Sequence, residues 1–274
     1  MVTAAHRCAV LGSPIAHSLS PALHRAAYAQ LGLTDWSYDR FELSEDQLPG
    51  FVAGCDGSWR GLSLTMPLKV VALQLGEVDE LAALVGAANT LVFTGSGPRV
   101  YNTDVGGLVA AVREAGVDEA ERVTILGSGA TARSSLVSAA QLGAATVSVV
   151  ARDPAKADRL RPLAEALGVS FRTRPWSDDL PPADVVISTV TAGAADSRAD
   201  EIAGSAAVIF DAIYDPWPTA LAEAAERAGR TVINGLDLLV GQAVLQIELM
   251  TGGQVPAAVL LAAGRAELDA RPAT

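Results

Sequence analysis

The sequence predicts an α/β protein of two domains, the second folded around a doubly wound parallel sheet. Three observations carry that expectation. Strand-like and helix-like segments alternate along all 274 residues. A glycine-rich turn stands between an apolar, β-branched strand and a helix over residues 123–143. From about Glu121 onward the alternation becomes a regular βαβα pattern, which places helices on both faces of a parallel sheet. The length suits one large domain or two ordinary ones, and with half the residues hydrophobic and 19% charged the chain can bury a sizeable core.

Taken in order, residues 8–12 (CAVLG) read as a first strand and 21–32 as a helix closed by Gly32. Residues 36–43 read as a strand, followed by a helix around 45–53, a strand at 61–66 and a helix at 67–76. A strand at 89–93 turns through GSGPR into a second strand at 100–104, and a long helix is expected over 104–116. The βαβα stretch then comprises strands at 123–127, 146–152, 184–189, 206–214 and 231–235, with helices at 134–143, 155–168 and 220–229. The closing segments, 238–252 and the helix after Pro256, are helical again and expected to return to the first domain. The predicted boundaries are 1–105 plus 238–274 for one domain and 106–237 for the other.

A formal net charge of −11 repels nucleic acid and anionic membrane, so neither is an expected partner. The same field opposes an anionic substrate, so an anion site here must be built from local donors. Cys8 and Cys55 have no metal-type spacing, no metal is expected, and reduced thiols in a cytoplasmic protein are the simple reading. The opening apolar run is broken by Gly, Pro and His, too short for a secretory signal or a membrane span. A small-molecule substrate is expected, with the chain a monomer or a homodimer.

Gly127-x-Gly129-x-x-Ala132 lies in a strand–turn–helix context. There Gly127 permits a tight turn, Gly129 lets backbone approach a pyrophosphate, and Ala132 permits close helix–strand packing, which is a Rossmann-type dinucleotide site. An ordinary tight βα turn is the bland alternative. The next strand ends in VVARD, where an NAD site usually has an acid for the ribose hydroxyls. Arg152 stands there instead, with Lys156 four residues on and Arg133 in the preceding helix, and cations suit the 2′-phosphate of NADP. Asp153 would repel that phosphate, unless it serves as an N-cap ahead of Pro154.

Four segments of the first domain gather polar groups at strand ends and helix starts: GSPIAHSLSP (12–21), LTMPLK (64–69), GAANT (86–90) and NTD (102–104). Singly each has a plain structural reading, with Ser20 and Thr65 as N-caps, Lys69 as a solvated lysine, Asn89 as a turn residue and Asp104 as the cap of a helix. Together they resemble, in order and spacing, the motif set of shikimate dehydrogenases. DAIYDPWPT (211–219) and GLDLLVGQA (235–243) resemble that family's late motifs, so the similarity spans nearly the whole chain. Departures are Arg25 and Ser63 where the family has Asn, Val105 where Gly is usual, and Ser188-Thr189-Val190 for Asn-Ala-Thr.

The resemblance implies NADP-dependent, reversible reduction of 3-dehydroshikimate to shikimate in aromatic amino-acid biosynthesis. It implies that Ser18 and Ser20 bind the substrate carboxylate with help from Tyr214, and that Thr65, Lys69, Asn89, Asp104 and Gln242 surround the ring hydroxyls. Lys69 and Asp104 would be the catalytic pair. Gly127, Ser128, Gly129, Ala130, Thr131, Ala151, Arg152 and Lys156 would take the cofactor's phosphate-bearing half, and Ile213 and Gly235 would flank the nicotinamide. Chemically the pair suits ketone reduction, because charge builds on oxygen as hydride reaches carbon and a protonated lysine can stabilise that oxygen and protonate it. An NAD-dependent quinate/shikimate or aminoshikimate-type dehydrogenase is the nearest alternative. More distant are a methylenetetrahydrofolate dehydrogenase-like enzyme, whose Tyr-x-x-x-Lys pattern fails at Thr65, and a non-catalytic dinucleotide-binding regulator.

Overall fold

A computed structural model describes residues 5–271. The chain divides into two compact units, one formed by the residues up to Thr103 together with those from Leu239 onward, the other by Asp104–Leu238. The first unit contains β1 (His6–Gly12), α1 (Ser20–Gln30), β2 (Trp36–Glu42), α2 (Leu48–Ala53), β3 (Trp59–Leu64), β4 (Glu77–Val78), α3 (Glu80–Val85), β5 (Thr90–Thr94) and β6 (Gly97–Tyr101). Its sheet has the order β2-β1-β3-β5-β6-β4. β1 runs parallel to β2 and β3, while β5 runs antiparallel to β3 and β6.

Side chains alternate across β1, so Ala9 and Leu11 enter one apolar cluster with Leu62, Leu68 and Leu91, and Cys8 and Val10 enter another with Tyr28 and Tyr38. Burial on both faces explains why this strand reads as an unbroken apolar run.

The second unit contains α4 (Asp104–Glu114), β7 (Arg122–Leu126), α5 (Ala130–Gln141), β8 (Thr146–Ala151), α6 (Pro154–Asp158), α7 (Arg161–Ala166), β9 (Ser170–Pro175), β10 (Ala183–Ser188), α8 (Ala199–Gly204), β11 (Ala206–Asp211), α9 (Ala220–Arg227) and β12 (Thr231–Asn234). All six strands are parallel, in the order β12-β11-β10-β7-β8-β9. Counted within the unit this is the doubly wound Rossmann order, and its switch point lies between β7 and β10, where ligands of such sheets bind. α10 (Gly235–Thr251) begins in this unit and ends in the first, where α11 (Ala257–Asp269) packs against α1. No helix among the described residues is long and apolar enough to cross a membrane.

The helix expected at 67–76 does not form. Residues 66–70 form a turn, and only Val71–Gln74 coil, as a 3₁₀ helix. Val70-Val71 is a β-branched pair, which is unfavourable to an α-helix, while Pro67 at the expected first position is neutral. Short bonds take over, from Leu68 N to Thr65 O (2.8 Å) and from Leu75 N to Ala72 O (3.1 Å), and they sink Leu68 and Ala72 into the core. The helix expected at 155–168 is two helices, because Pro162 restarts the coil at α7. β4, α3, β9 and α8 add to the sequence reading.

Candidate active site

In the first unit the loop after β1 brings Ser18 and Ser20 to the start of α1, both buried. Leu19, not Ser20, occupies the N-cap position. The reason is local: Ser18 Oγ accepts the N–H of Ser20 (3.3 Å), which makes Ser20 the first helical residue. The pair therefore forms one compact hydroxyl site at a helix start, where backbone donors also favour an anion.

The Lys69 turn is tied to two neighbours. Ser13 N–H donates to Met66 O (2.9 Å), and Ala88 N–H donates to Lys69 O (2.7 Å). The first contact is so close that a Cβ on Gly12 would stand 2.3 Å from Thr65 Cγ2 and 2.9 Å from Met66 O, so glycine is required there. Thr65 is half-buried and heads no helix, so its expected N-cap role and the same-side helical spacing to Lys69 are both corrected.

Asn89 sits at the centre of a buried polar cluster. Its Oδ1 accepts from Thr103 N (2.8 Å) and Thr90 Oγ1 (3.0 Å), and its Nδ2 donates to Thr103 Oγ1 (2.9 Å) and Gln242 Oε1 (3.3 Å). Leu64 N–H donates to Asn89 O (2.7 Å) and Asn89 N–H to Tyr101 O (3.0 Å). The segments 64–69, 86–90 and 101–103 are thus locked together, and Asp104 follows directly as the first residue of α4. Asp104 is therefore counted within the helix and not ahead of it as a cap.

Gln246, one turn beyond Gln242 on α10, completes the cluster and was not foreseen. Its Nε2 donates to Asn89 O (3.2 Å) and Thr90 Oγ1 (2.9 Å), and its Oε1 accepts from Ser63 Oγ (2.7 Å). The i, i+4 spacing of two glutamines in an otherwise apolar helix was the available signal. His24 Nε2 also donates to Gln246 Oε1 (3.3 Å), since an amide oxygen only accepts, and burial pushes this imidazole down to about 3 despite that bond.

In the second unit the turn between β7 and α5 carries Gly127 to Gly129, with Ala130 and Thr131 in the first turn of the helix. Gly127 has φ +106°, and its hypothetical Cβ would lie 2.6 Å from Thr189 Oγ1. Thr189 in turn donates to Leu126 O (2.7 Å), fixing the loop after β10 against the turn at the switch point. A Cβ on Gly129 would meet nothing within 4 Å, so the space over the turn is open.

β8 ends at buried Ala151, and Arg152, Asp153 and Lys156 are exposed. Asp153 is the N-cap of α6, its Oδ1 accepting Lys156 N–H at 3.0 Å. The carboxylate is therefore engaged with backbone while the Arg152 and Lys156 cations remain beside it. These residues fit a phosphorylated dinucleotide.

The loop bearing Ile213 and Tyr214 is pinned at its base by Asp211, which accepts from Thr219 Oγ1 (2.8 Å) and Ile213 N (3.3 Å). Burial raises the Asp211 carboxyl above the usual range, against the pull of these bonds. A Cβ on Gly235 would lie 2.1 Å from Ala212 O, so only glycine fits under this loop.

A doubly wound sheet with an open glycine turn at its switch point, joined to an α/β unit holding a buried polar cluster, is the architecture of two-domain oxidoreductases that use a nicotinamide dinucleotide. Comparison with known proteins narrows this. The family model for the shikimate dehydrogenase substrate binding domain matches residues 10–91. The chain is 35% identical to the shikimate dehydrogenase (NADP(+)) of Halobacterium salinarum, over 94% of this chain and 98% of the relative. Among solved structures, the shikimate dehydrogenase of Mycobacterium tuberculosis superposes with a TM-score of 0.90 at 43% identity, covering 95% of this chain and 99% of that one. The shikimate 5-dehydrogenase of Thermus thermophilus, in complex with NADP(H) and shikimate, gives 0.84 at 30% identity, covering 95% and 99%. The chain belongs to the shikimate dehydrogenase family.

Proposed function

We propose that this chain catalyses the NADP-dependent, reversible reduction of 3-dehydroshikimate to shikimate, as a cytoplasmic enzyme acting as a monomer or a homodimer. Residues 1–105 and 238–274 form its substrate domain and 106–237 its NADP-binding domain. The observation that carries the reading is the buried Asn89 cluster, which ties the Lys69 turn to the segment leading into Asp104. It supports a site where neutral donors grip ring hydroxyls next to Lys69.

Ser18 and Ser20 hold the substrate carboxylate from one compact hydroxyl site, joined by Tyr214. Thr65, Asn89, Gln242 and Asp104 take the ring hydroxyls. NADP, when bound, supplies or accepts the hydride. In reduction Lys69 gives a proton from Nζ to the carbonyl oxygen as that oxygen gains charge, and in oxidation it receives the proton back; Asp104 orients the ammonium group and holds a hydroxyl. Gly127, Ser128, Gly129, Ala130, Thr131 and Ala151 carry the dinucleotide backbone, Arg152 and Lys156 the 2′-phosphate, and Ile213 and Gly235 border the nicotinamide.

Lys69→Ala should cut shikimate oxidation with NADP by roughly 10²–10⁴-fold, the usual worth of general acid–base help. Asp104→Asn should impair turnover and substrate binding together. A Lys69→Ala enzyme whose pH–rate profile matches the parent in shape and height would sink this mechanism.

A further inference from the structure

We propose that Gln246 is a positioning residue that holds the carboxylate end and the hydroxyl end of the substrate site in one register, acting through Ser63 and Tyr38 on one side and through Asn89 and Thr90 on the other. The inference rests on the reading of the site just given.

Gln246 is almost wholly buried, and each polar atom of its amide is used. Its orientation is fixed, because Asn89 O can only accept and Nε2 must face it at 3.2 Å. Oε1 then faces Ser63 and His24, so Ser63 must spend its single proton on Gln246 (2.7 Å). Ser63 can therefore only accept from Tyr38, whose hydroxyl lies 2.6 Å away. The Tyr38 proton is committed as well, so towards the neighbouring Ser20 its oxygen can only accept.

One amide thus imposes a single direction on a hydrogen-bond chain that runs from Tyr38 to Asn89. Tyr38 therefore offers Ser20 only an acceptor, which leaves the Ser20 hydroxyl proton able to turn to an arriving carboxylate. Asn89 is held from the other end by the backbone contact of Gln246 and by the Thr90 hydroxyl, which accepts from Gln246 and donates to Asn89 Oδ1 (3.0 Å). None of these intermediaries touches substrate in the site as read. His24, stacked on Tyr38 at 4.0 Å, completes the packing around the chain.

Three variants test this in steady-state kinetics with shikimate and NADP. Gln246→Leu keeps the bulk and removes both polar ends, leaving Asn89 O, Thr90 and Ser63 without it. The shikimate KM should rise by about tenfold with the NADP KM unchanged, matching the loss of a buried partner.

Gln246→Glu places an acceptor against Asn89 O unless the new carboxyl keeps its proton. His24, whose Nε2 lies 3.3 Å from Gln246 Oε1, and Tyr38 are the titratable groups nearby; a carboxylate there favours a proton on the imidazole, so the new carboxyl and His24 titrate as a pair that loses its protons as pH rises. Its shikimate KM should approach that of the parent at low pH and climb as pH rises, a dependence that Gln246→Leu should lack. Tyr38→Phe deletes a single hydroxyl with little change in packing and should raise the shikimate KM a few-fold. Parental shikimate KM values in all three variants, in folded protein with normal NADP KM, would overturn the proposal and leave the Lys69 reading standing. Failure of the parent chain to oxidise shikimate would overturn both.

Discussion

His24 should make the first unit acid-sensitive well before its carboxylates titrate. The imidazole is fully buried, stacked on Tyr38 and bonded to Gln246, and burial lowers it from 6.5 to about 3. In the unfolded chain it takes up a proton below about 6.5, while the folded chain refuses one until about pH 3. Between those values the unfolded state binds more protons, so stability falls as pH falls and is fully present above the unfolded value. At about 1.4 kcal/mol per pH unit, the loss reaches about 2 kcal/mol between pH 7 and pH 5 and about 4 kcal/mol by pH 3, where the folded imidazole begins to take up its own proton.

The upper part of that window is clean. Carboxylates lowered by their partners, such as Asp158 and Glu201, give up stability only as pH drops through their own lower range. Asp211, raised by burial, works in the opposite sense and loses its contribution as pH rises. A comparison with His24→Gln cancels it. Urea unfolding at both pH values, followed through Trp36 and Trp59 with Trp176 and Trp217 replaced by Phe, reads the first unit alone. The parent should lose about 2 kcal/mol more than His24→Gln between pH 7 and pH 5. Equal losses would refute the argument that this histidine is neutral because it is buried.

Gly235→Ala should drive a methyl group into Ala212 O, costing about 1–3 kcal/mol in thermal unfolding and raising the NADP KM by displacing the Ile213 loop; a parental melting temperature and NADP KM would contradict the close packing. Arg152→Ala should raise the NADP KM by about tenfold or more and leave the NAD KM unchanged. Asp153→Ser keeps a side-chain cap for Lys156 N–H while removing a negative charge, so it should sharpen the preference for NADP several-fold in competition kinetics.

The second unit was the more legible from sequence. Strands such as Val147–Val150 and Val185–Ile187 are buried on both faces and mostly apolar, and the glycine turn marks the first crossover. β9 escaped notice because its Phe171 and Thr173 alternate with arginines on a half-exposed edge. In the first unit, apolar content between residues 67 and 76 imitated a helix, but tertiary packing of Leu68 and Ala72 overrode local periodicity.

The candidate site was legible where it is punctuated by Ser, Pro, Gly and Asn. Its support was not: His24, Tyr38 and Gln246 sit among apolar neighbours, and their importance comes from partners far away in sequence. The role of Asp153 became readable only from its hydrogen bond, since its neighbours Arg152 and Pro154 suit either a phosphate site or a cap.

The most direct test of the central claim is turnover of the purified chain with shikimate or quinate, each offered with NADP or NAD, followed through the absorbance of the reduced nicotinamide. Fast turnover confined to shikimate with NADP is the predicted result. Turnover mainly with quinate or with NAD would contradict the assigned substrate or the phosphate role of Arg152, and silence in all four mixtures from a folded protein that binds NADP would contradict the reaction itself.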